Sequence, residues 1–385
     1  MGIESIGVYP EFKAGNKIRT MKIAFFHELP QKTGSRKSVD AIAEHLGRTN
    51  TVDLYYVDKS SSYHKKSPFR KVHFFKFVPV DWKGGDPFAR LYRDTFELLK
   101  LFFLHHKIAK KIRNGKYDFV FIHGSYLTES PFILLFKNNL KIYYAHAPNY
   151  TLIFEKVMGI PKKDRIRYVY EITNRHIRKW LDQLNVGRAD LILANSSYTK
   201  NKITAFYKKK SMVAYLGVNT SIYKPMKIKK KYDFLFVGSM HPVDGYGLIH
   251  QALAKMRKKP SYKILAIENE WIDDDTEMAN LYNKAKVVLC LAHGEPFGLV
   301  AIEAMACGVP VIAVDEAGYR ESVINGKTGI LIKRTPDDLI LALKKLINDR
   351  QRHANYSKNS RREAVLNWSW SKVVKRMEVL IERKL

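Results

Sequence analysis

From residue 21 onward, short apolar runs alternate with longer stretches in which apolar positions recur every three or four residues. The runs at 21–27 (MKIAFFH), 51–57, 72–77, 119–123, 141–145, 191–194 and 213–215 predict strands in the first half of the chain. Those at 233–237, 263–267, 287–292 and 311–314 predict strands in the second half. Between them, 39–46, 94–114, 164–186, a segment capped by Ser196 or Ser197, 248–256, 278–284 and 299–306 carry helical periodicity. A helix between two strands returns the chain to lay the next strand parallel to the last, so the pattern predicts an α/β protein with mostly parallel sheets. A chain of 385 residues exceeds one ordinary core, and two domains are expected. The basic, proline-containing stretch 217–231 lacks periodicity and reads as the linker between a first domain over 21–216 and a second over 232–360. Residues 1–20 show no clear pattern and read as an N-terminal extension.

Residues 291–316, LAHGEPFGLVAIEAMACGVPVIAVDE, hold the chemistry. An apolar strand enters a Gly/Pro turn at 293–297, a helical segment follows over 299–306, and Gly308 and Pro310 close it before the next strand. Such βαβ units place ligands where strand ends meet a helix start. The opening amides, at Gly298, Leu299 and Val300, carry partial positive charge that suits a phosphate, and Gly298 lets a ligand approach the backbone closely. Glu303 lies roughly 7.5 Å further along the axis at about 1.5 Å per residue. That is the reach from a diphosphate to a ribose diol, whose two hydroxyls a carboxylate can accept. Glu295 stands in the turn with Pro296 and Phe297, on the side of the phosphates where a transferred group would sit. Two acids flanking a phosphate seat suggest a nucleotide-activated sugar. Taken alone, two acids at this spacing are more often incidental to a buried βαβ segment; the surrounding residues decide the matter.

EPFGLVAIEAMACGVPVIA resembles the donor-binding signature of the retaining GT-B glycosyltransferases of family 4, in which two Glu residues are separated by seven positions, here Glu295 and Glu303. RADLILANSSYTKNKI, YLGVNTSIY, GYRESVINGKTGILI and the terminal NWSWSKVVKRMEVLIERKL extend the resemblance over nearly everything from Met21 onward. It implies two Rossmann-like domains facing across a cleft, with residues 361–385 forming a terminal helix that packs back on the first. It implies transfer of a hexose from a nucleoside diphosphate sugar to an acceptor hydroxyl with retention of configuration. The nucleotide sugar would be a co-substrate, with no further cofactor and no metal. In the family a His-x-Pro after the strand that here ends YYAHAPNY lies beside the transferred sugar, which makes His146 a candidate; the Arg that follows in some relatives is replaced by Asn149 and Tyr150. A Gly-containing loop follows the first strand in relatives too, making Gly34 a ligand-contact candidate, although GSRKS lacks the spacing of a Walker motif. By the same resemblance Gly238 and Ser239, closing the strand at 233–237, would lie beside the diphosphate, and Glu268 in ENEW would border the base pocket. Relatives usually carry an Arg and a Lys at the positions of Ser239 and Asp244, where they clamp the diphosphate. Lys32, Arg36, Lys37 and Arg320 are the loop cations available as substitutes.

Charge widens the list of partners. With 67 Lys and Arg against 37 Asp and Glu, net +30, the chain favours anionic partners: phosphorylated substrates, anionic lipid or nucleic acid. Lineage-wide lysine enrichment would give the same number. The site chemistry favours a nucleotide sugar with a lipid-linked or glycan acceptor, and favours nucleic acid least. Cys290 and Cys307 both sit in apolar segments and read as buried thiols of a reducing, cytoplasmic compartment. No apolar run reaches the length of a membrane span. Residues 94–114, apolar and aromatic early and basic late, fit either a crossover helix or a membrane-surface helix, which would place the protein peripherally at the inner membrane face. No His, Asp and Cys cluster has metal-ligand spacing. Two other functions fit the same architecture: a sugar-nucleotide epimerase, and a non-catalytic basic module derived from a transferase.

Overall fold

The computed structural model describes residues 20–28, 34–61, 68–80, 91–125, 128–146, 165–266 and 272–385. A seven-stranded parallel sheet forms the first lobe from β1 (Lys22–Glu28), β2 (Thr51–Asp58), β3 (Lys71–Lys76), β4 (Phe119–Ile122), β5 (Leu140–Ala145), β6 (Leu191–Ala194) and β7 (Met212–Val213). Their order is β3-β2-β1-β4-β5-β6-β7, so strand order reverses between β1 and β4. At such a switch point the loops part and leave a crevice for ligands. The crossovers include α1 (Gly34–Leu46), α2 (Leu98–Asn114), α3 (Arg165–Val186) and α4 (Ser197–Tyr207). Both faces of the sheet are apolar. Ile23, Phe25, Phe121 and Tyr144 face α1, whereas Ala24, Phe26, Ile122 and Tyr143 face α2 and α4.

In the first lobe, two helices begin differently from what the periodicity predicts. α1 begins at Gly34, five residues before the apolar pattern does. The helix expected over 94–114 opens as a π-helical turn, Arg93–Glu97, that becomes α-helical at Leu98. That wide turn lets two acids point into the protein. Asp94 accepts from Tyr170 Oη (3.0 Å) and Asn174 Nδ2 (2.7 Å), and Glu97 accepts from the Val80 amide (2.7 Å).

The second lobe carries a five-stranded sheet of β8 (Tyr232–Gly238), β9 (Tyr262–Ala266), β10 (Ala285–Cys290), β11 (Val311–Val314) and β12 (Gly329–Ile332), in the order β12-β11-β10-β8-β9 and parallel throughout. Its helices are α5 (Tyr246–Lys255), α6 (Asp275–Asn283), α7 (Leu299–Ala306), the short α8 (Tyr319–Ser322) and α9 (Pro336–Asn348), followed by α10 (Arg350–Asn367) and α11 (Trp370–Glu382). Cys290 and Cys307 are buried free thiols, and among the described residues no helix is long and apolar enough to cross a membrane.

The chain crosses between lobes twice, and the two crossings lie side by side. The Val218 amide donates to Trp368 O (2.7 Å) and the Trp370 amide to Val218 O (3.3 Å). A Cβ at Gly217 would meet the Trp370 ring at 2.7 Å. α11 then packs on α1. The segment expected as one terminal helix is two, broken at Trp368–Ser369. Trp368 and Trp370 are both buried, and residues two apart lie on opposite sides of a helix, so the chain must leave helical geometry to bury both.

Candidate active site

The carboxyl ends of β8, β10 and β11 bring three loops together. The His293 amide donates to Val243 O (2.7 Å) and the Gly318 amide to Glu295 O (2.9 Å). Two glycines make this approach possible. Gly245 has φ 82° and its Cβ would lie 2.1 Å from Leu291 O; Gly298 has φ 101° and its Cβ would lie 2.8 Å from the Tyr319 ring.

The opening of α7 differs from expectation in one respect. The Gly298 amide donates to Glu295 Oε1 at 3.1 Å, so it is not open. A carboxylate three residues back takes this first orphan donor much as a capping side chain does. The amides of Leu299 and Val300 have no partner among the described residues and form the remaining N–H pair. Pro296 is half-buried in the turn. Phe297 is fully buried, its ring 5.6 Å from Tyr215 and 5.2 Å from Trp368, so its side chain supports the turn from behind. Burial pushes the Glu295 carboxyl up; the amides of Phe297 and Gly298 oppose the shift, and Asp244 adds to it.

Glu303 lies further along α7, where its Oε2 accepts from Tyr282 Oη of α6 at 2.8 Å. Burial raises its pKa to about 7, against the pull of Tyr282 and of Lys37, while Asp275 adds to the rise. Lys37 belongs to α1 and pairs with Asp275 of α6, so Glu303 faces the space between the lobes.

The two positions where relatives carry cations are bonded to each other. Ser239 donates its amide (2.6 Å) and its hydroxyl (2.5 Å) to Asp244 Oδ2, which folds the loop after Gly238 into a tight turn. Among the substitute cations, Arg320 is exposed and pairs with Asp315 (2.8 Å). Arg36 acts on His27, and Lys37 acts on Glu303. Gly34 is the first residue of α1. Lys32 and Glu268 lie outside the described residues. A fifth cation, Arg334, grips Glu316 through two bonds (3.0 and 2.8 Å) and donates to Leu291 O (2.6 Å), holding the loop rather than facing a ligand.

The opposing edge, in the first lobe, is lined by histidines. His27 is in β1, His123 follows β4 and His146 follows β5, three adjacent strands. His146 Nε2 lies 2.8 Å from His123 Nε2, and the His27 and His123 rings are 5.0 Å apart. Two ring nitrogens at that distance share one proton, one donating and the other accepting. Burial pushes all three pKa values down, that of His146 to about 4, and mutual repulsion lowers His27 and His123 further. The cluster is neutral. Asn195 Nδ2 steadies the His146 carbonyl (3.0 Å). Among the described residues, His27 Nε2 and His123 Nδ1 are buried without a partner. Sequence reasoning found His146 and missed the other two, although the strands at 21–27 and 119–123 both close on His. Among the described residues no group of three or more His, Cys, Asp or Glu could hold a metal ion.

A further residue missed from sequence joins the lobes. Glu321 of α8 accepts from the amides of Ser197 and Tyr198 (2.8 Å each) and from Tyr215 Oη (3.0 Å). Its charge thus sits on the positive N-terminus of α4 in the other lobe.

Two parallel-sheet lobes facing across a cleft, one presenting a helix start between two acids, constitute the GT-B architecture. Residues 33–222 match Glycosyltransferase Family 4 and residues 270–363 match Glycosyl transferases group 1; the chain belongs to these group 1, family 4 glycosyltransferases. An uncharacterized glycosyltransferase of Methanocaldococcus jannaschii is 23% identical over 410 residues, 95% of this chain and 99% of that protein. Another from the same organism is 30% identical over 207 residues, 48% of this chain, and that match spans 57% of the relative's length. A probable sucrose-phosphate synthase of Thermosipho melanesiensis is 27% identical over 275 residues, 59% of this chain and 63% of that protein. Among solved structures, the sucrose-phosphate synthase of Thermosynechococcus elongatus superposes with a TM-score of 0.72 at 17% identity, covering 94% of this chain and 98% of that one. Anabaena HepE in complex with UDP and glucose gives 0.65 at 17% identity, covering 94% and 99%. At these identities the structural likeness concerns the fold.

Proposed function

We propose that this glycosyltransferase moves a hexose from a nucleoside diphosphate sugar to an acceptor hydroxyl, with retention of anomeric configuration. The observation that carries the reading is the N–H pair of Leu299 and Val300, without a partner among the described residues, with Glu295 before it and Glu303 beyond it. The pair and the α7 dipole stabilise the diphosphate as the bond from sugar C1 to phosphate oxygen breaks and the electron pair leaves with the phosphate. The acceptor oxygen bonds to C1 on the same face, and its proton passes to the departing phosphate oxygen. Glu303 holds the ribose diol, Glu295 the sugar hydroxyls, and the neutral His146 hydrogen-bonds the sugar from the first lobe. The Anabaena complex with UDP and glucose supports a nucleotide-sugar donor. The acceptor is a lipid-linked or other glycan.

The test is a thermal-shift panel of UDP-, GDP- and ADP-sugars, followed by mass spectrometry of products formed on lipid and glycan extracts. Stabilisation by one donor together with a hexose mass increment on an acceptor supports the reading; neither effect with any donor removes it. A second reading is favoured by the Ser239–Asp244 bond, which leaves a carboxylate where the departing diphosphate would need cations: a donor-binding protein that transfers slowly or not at all. Donor-induced stabilisation without product would select it.

A further inference from the structure

The first lobe carries an apolar surface that neither its core nor the cleft uses. On α2 and the turn before it, Phe96, Leu99 and Phe103 are 60%, 54% and 65% exposed; on α3, Val169, Ile177 and Trp180 are 56%, 51% and 60% exposed. Each set recurs at helical spacing and forms one outward stripe. The two helices are fastened together through Asp94, which Tyr170, Asn174 and Arg178 of α3 all reach. Among the described residues of the two helices and the turn before them, the exposed charges have one sign. Lys100, Lys107, Lys110 and Lys179 are exposed, whereas the acids Asp94, Glu97 and Asp182 have buried side chains and Glu171 lies largely covered beside Arg175.

Topology places this surface. In a parallel sheet each crossover helix runs opposite to the strands, so its N-terminal half lies at their carboxyl ends. α2 meets that edge at His105, which stands 3.1 Å from Glu28 at the end of β1, and Phe96 to Phe103 therefore lie at the cleft-side rim. The first half of α3 reaches the same rim through Asp94.

We propose that this two-helix face docks on a bilayer containing anionic phospholipid, seating Phe96, Leu99, Phe103 and Trp180 among the acyl chains and the surrounding lysines among the headgroups, with the cleft opening at the membrane surface. Aromatic and aliphatic side chains on one face of a helix, ringed by lysine and arginine, suit the interfacial region; a neutral bilayer would use only half of that surface. The inference concerns the outer face and does not rest on the transfer reaction.

Flotation of the full chain with vesicles tests it. The protein is expected to float with phosphatidylcholine vesicles containing phosphatidylglycerol, to stay behind with phosphatidylcholine alone, and to be released by raised salt. Trp180 emission is expected to shift to the blue on binding, and Trp180→Phe to abolish the shift while keeping flotation. The triple variant Phe96→Ser, Phe103→Ser, Trp180→Ser is expected to lose at least about tenfold in partitioning. Its melting temperature and any donor-induced stabilisation should match those of wild type, which separates lost docking from misfolding. Flotation unchanged in the triple variant, no flotation of wild type, or equal flotation on neutral vesicles overturns the proposal. So does a wild-type dimer in sedimentation that the triple variant dissolves without any lipid binding, since the face would then be covered by a second copy.

Discussion

The two edges that meet across the cleft are both carboxyl ends of parallel sheets, yet they are built in opposite ways. The second-lobe edge is charged and local: its capped turn, its N–H pair and both acids fall between Glu295 and Glu303. The first-lobe histidine trio is neutral and dispersed: His27, His123 and His146 come from β1, β4 and β5. Burial acts on both with opposite outcomes. It pushes imidazoles down, out of the physiological range, and pushes carboxyls up; Glu303 moves into that range at about 7. Between the two groups that face each other, titration near neutrality therefore belongs to the acids of the second-lobe edge, while the histidine trio stays neutral.

The strongest test of that contrast is Glu295→Ala. It removes a group proposed to hold the transferred sugar and should lower product formation by about 10²–10³-fold. The lost cap on Gly298 should cost about 1 kcal/mol in denaturant melts, leaving the fold intact. Undiminished turnover would remove Glu295 from the site.

Next in size is the pH response of donor binding. With a pKa of about 7, Glu303 goes from mostly protonated at pH 6 to mostly ionised at pH 8. The donor dissociation constant should fall by about tenfold over that range, and Glu303→Gln should flatten the profile. Stability runs the other way. The folded pKa lies above the ordinary carboxyl value of 4.5, so the folded state holds the extra proton and stability is lost as pH rises from 4.5 to about 7. Glu303→Gln should accordingly melt higher than wild type at pH 8 and not at pH 4.

His123→Phe should reduce kcat/KM by roughly fivefold, through loss of the 2.8 Å contact that orients His146, and should leave the pH profile above pH 6 unchanged. An inflection near pH 6.5 that disappears in this variant would show the histidine edge to be charged and break the contrast. Smallest is Asp244→Asn. The amide oxygen still accepts from Ser239, but the charge that raises Glu295 is gone, and the donor dissociation constant should tighten by about threefold in calorimetry.

How far the residues foretold this arrangement depends on how locally each contact is made. Glu295, Gly298 and Glu303 could be placed from spacing because one turn and one helix fix their relation. That the Gly298 amide is already taken could not, since spacing does not say which of several acceptors a loop brings to an orphan donor. That the ring of Phe297, read as part of the turn, is enclosed by Tyr215 and Trp368, one from each side of the lobe junction, could not be seen from spacing. The histidine trio was half legible: each strand visibly closes on a polar residue, but adjacency needs the order β1-β4-β5. Glu321 gave no signal, because its partners are backbone amides of the other lobe.

By itself, the sequence determined two parallel α/β lobes and a helix start with an acid on either side. These depend on backbone periods and on hydrogen bonds that close within a few residues. Only the tertiary structure decided which amides stay open, that Ser239 and Asp244 occupy each other, that three histidines share one edge in the neutral state, and that Lys37 and Glu321 span the lobes. Those outcomes depend on burial and on the meeting of groups far apart in the chain, and a carboxylate or an imidazole acquires its charge state only from what finally surrounds it.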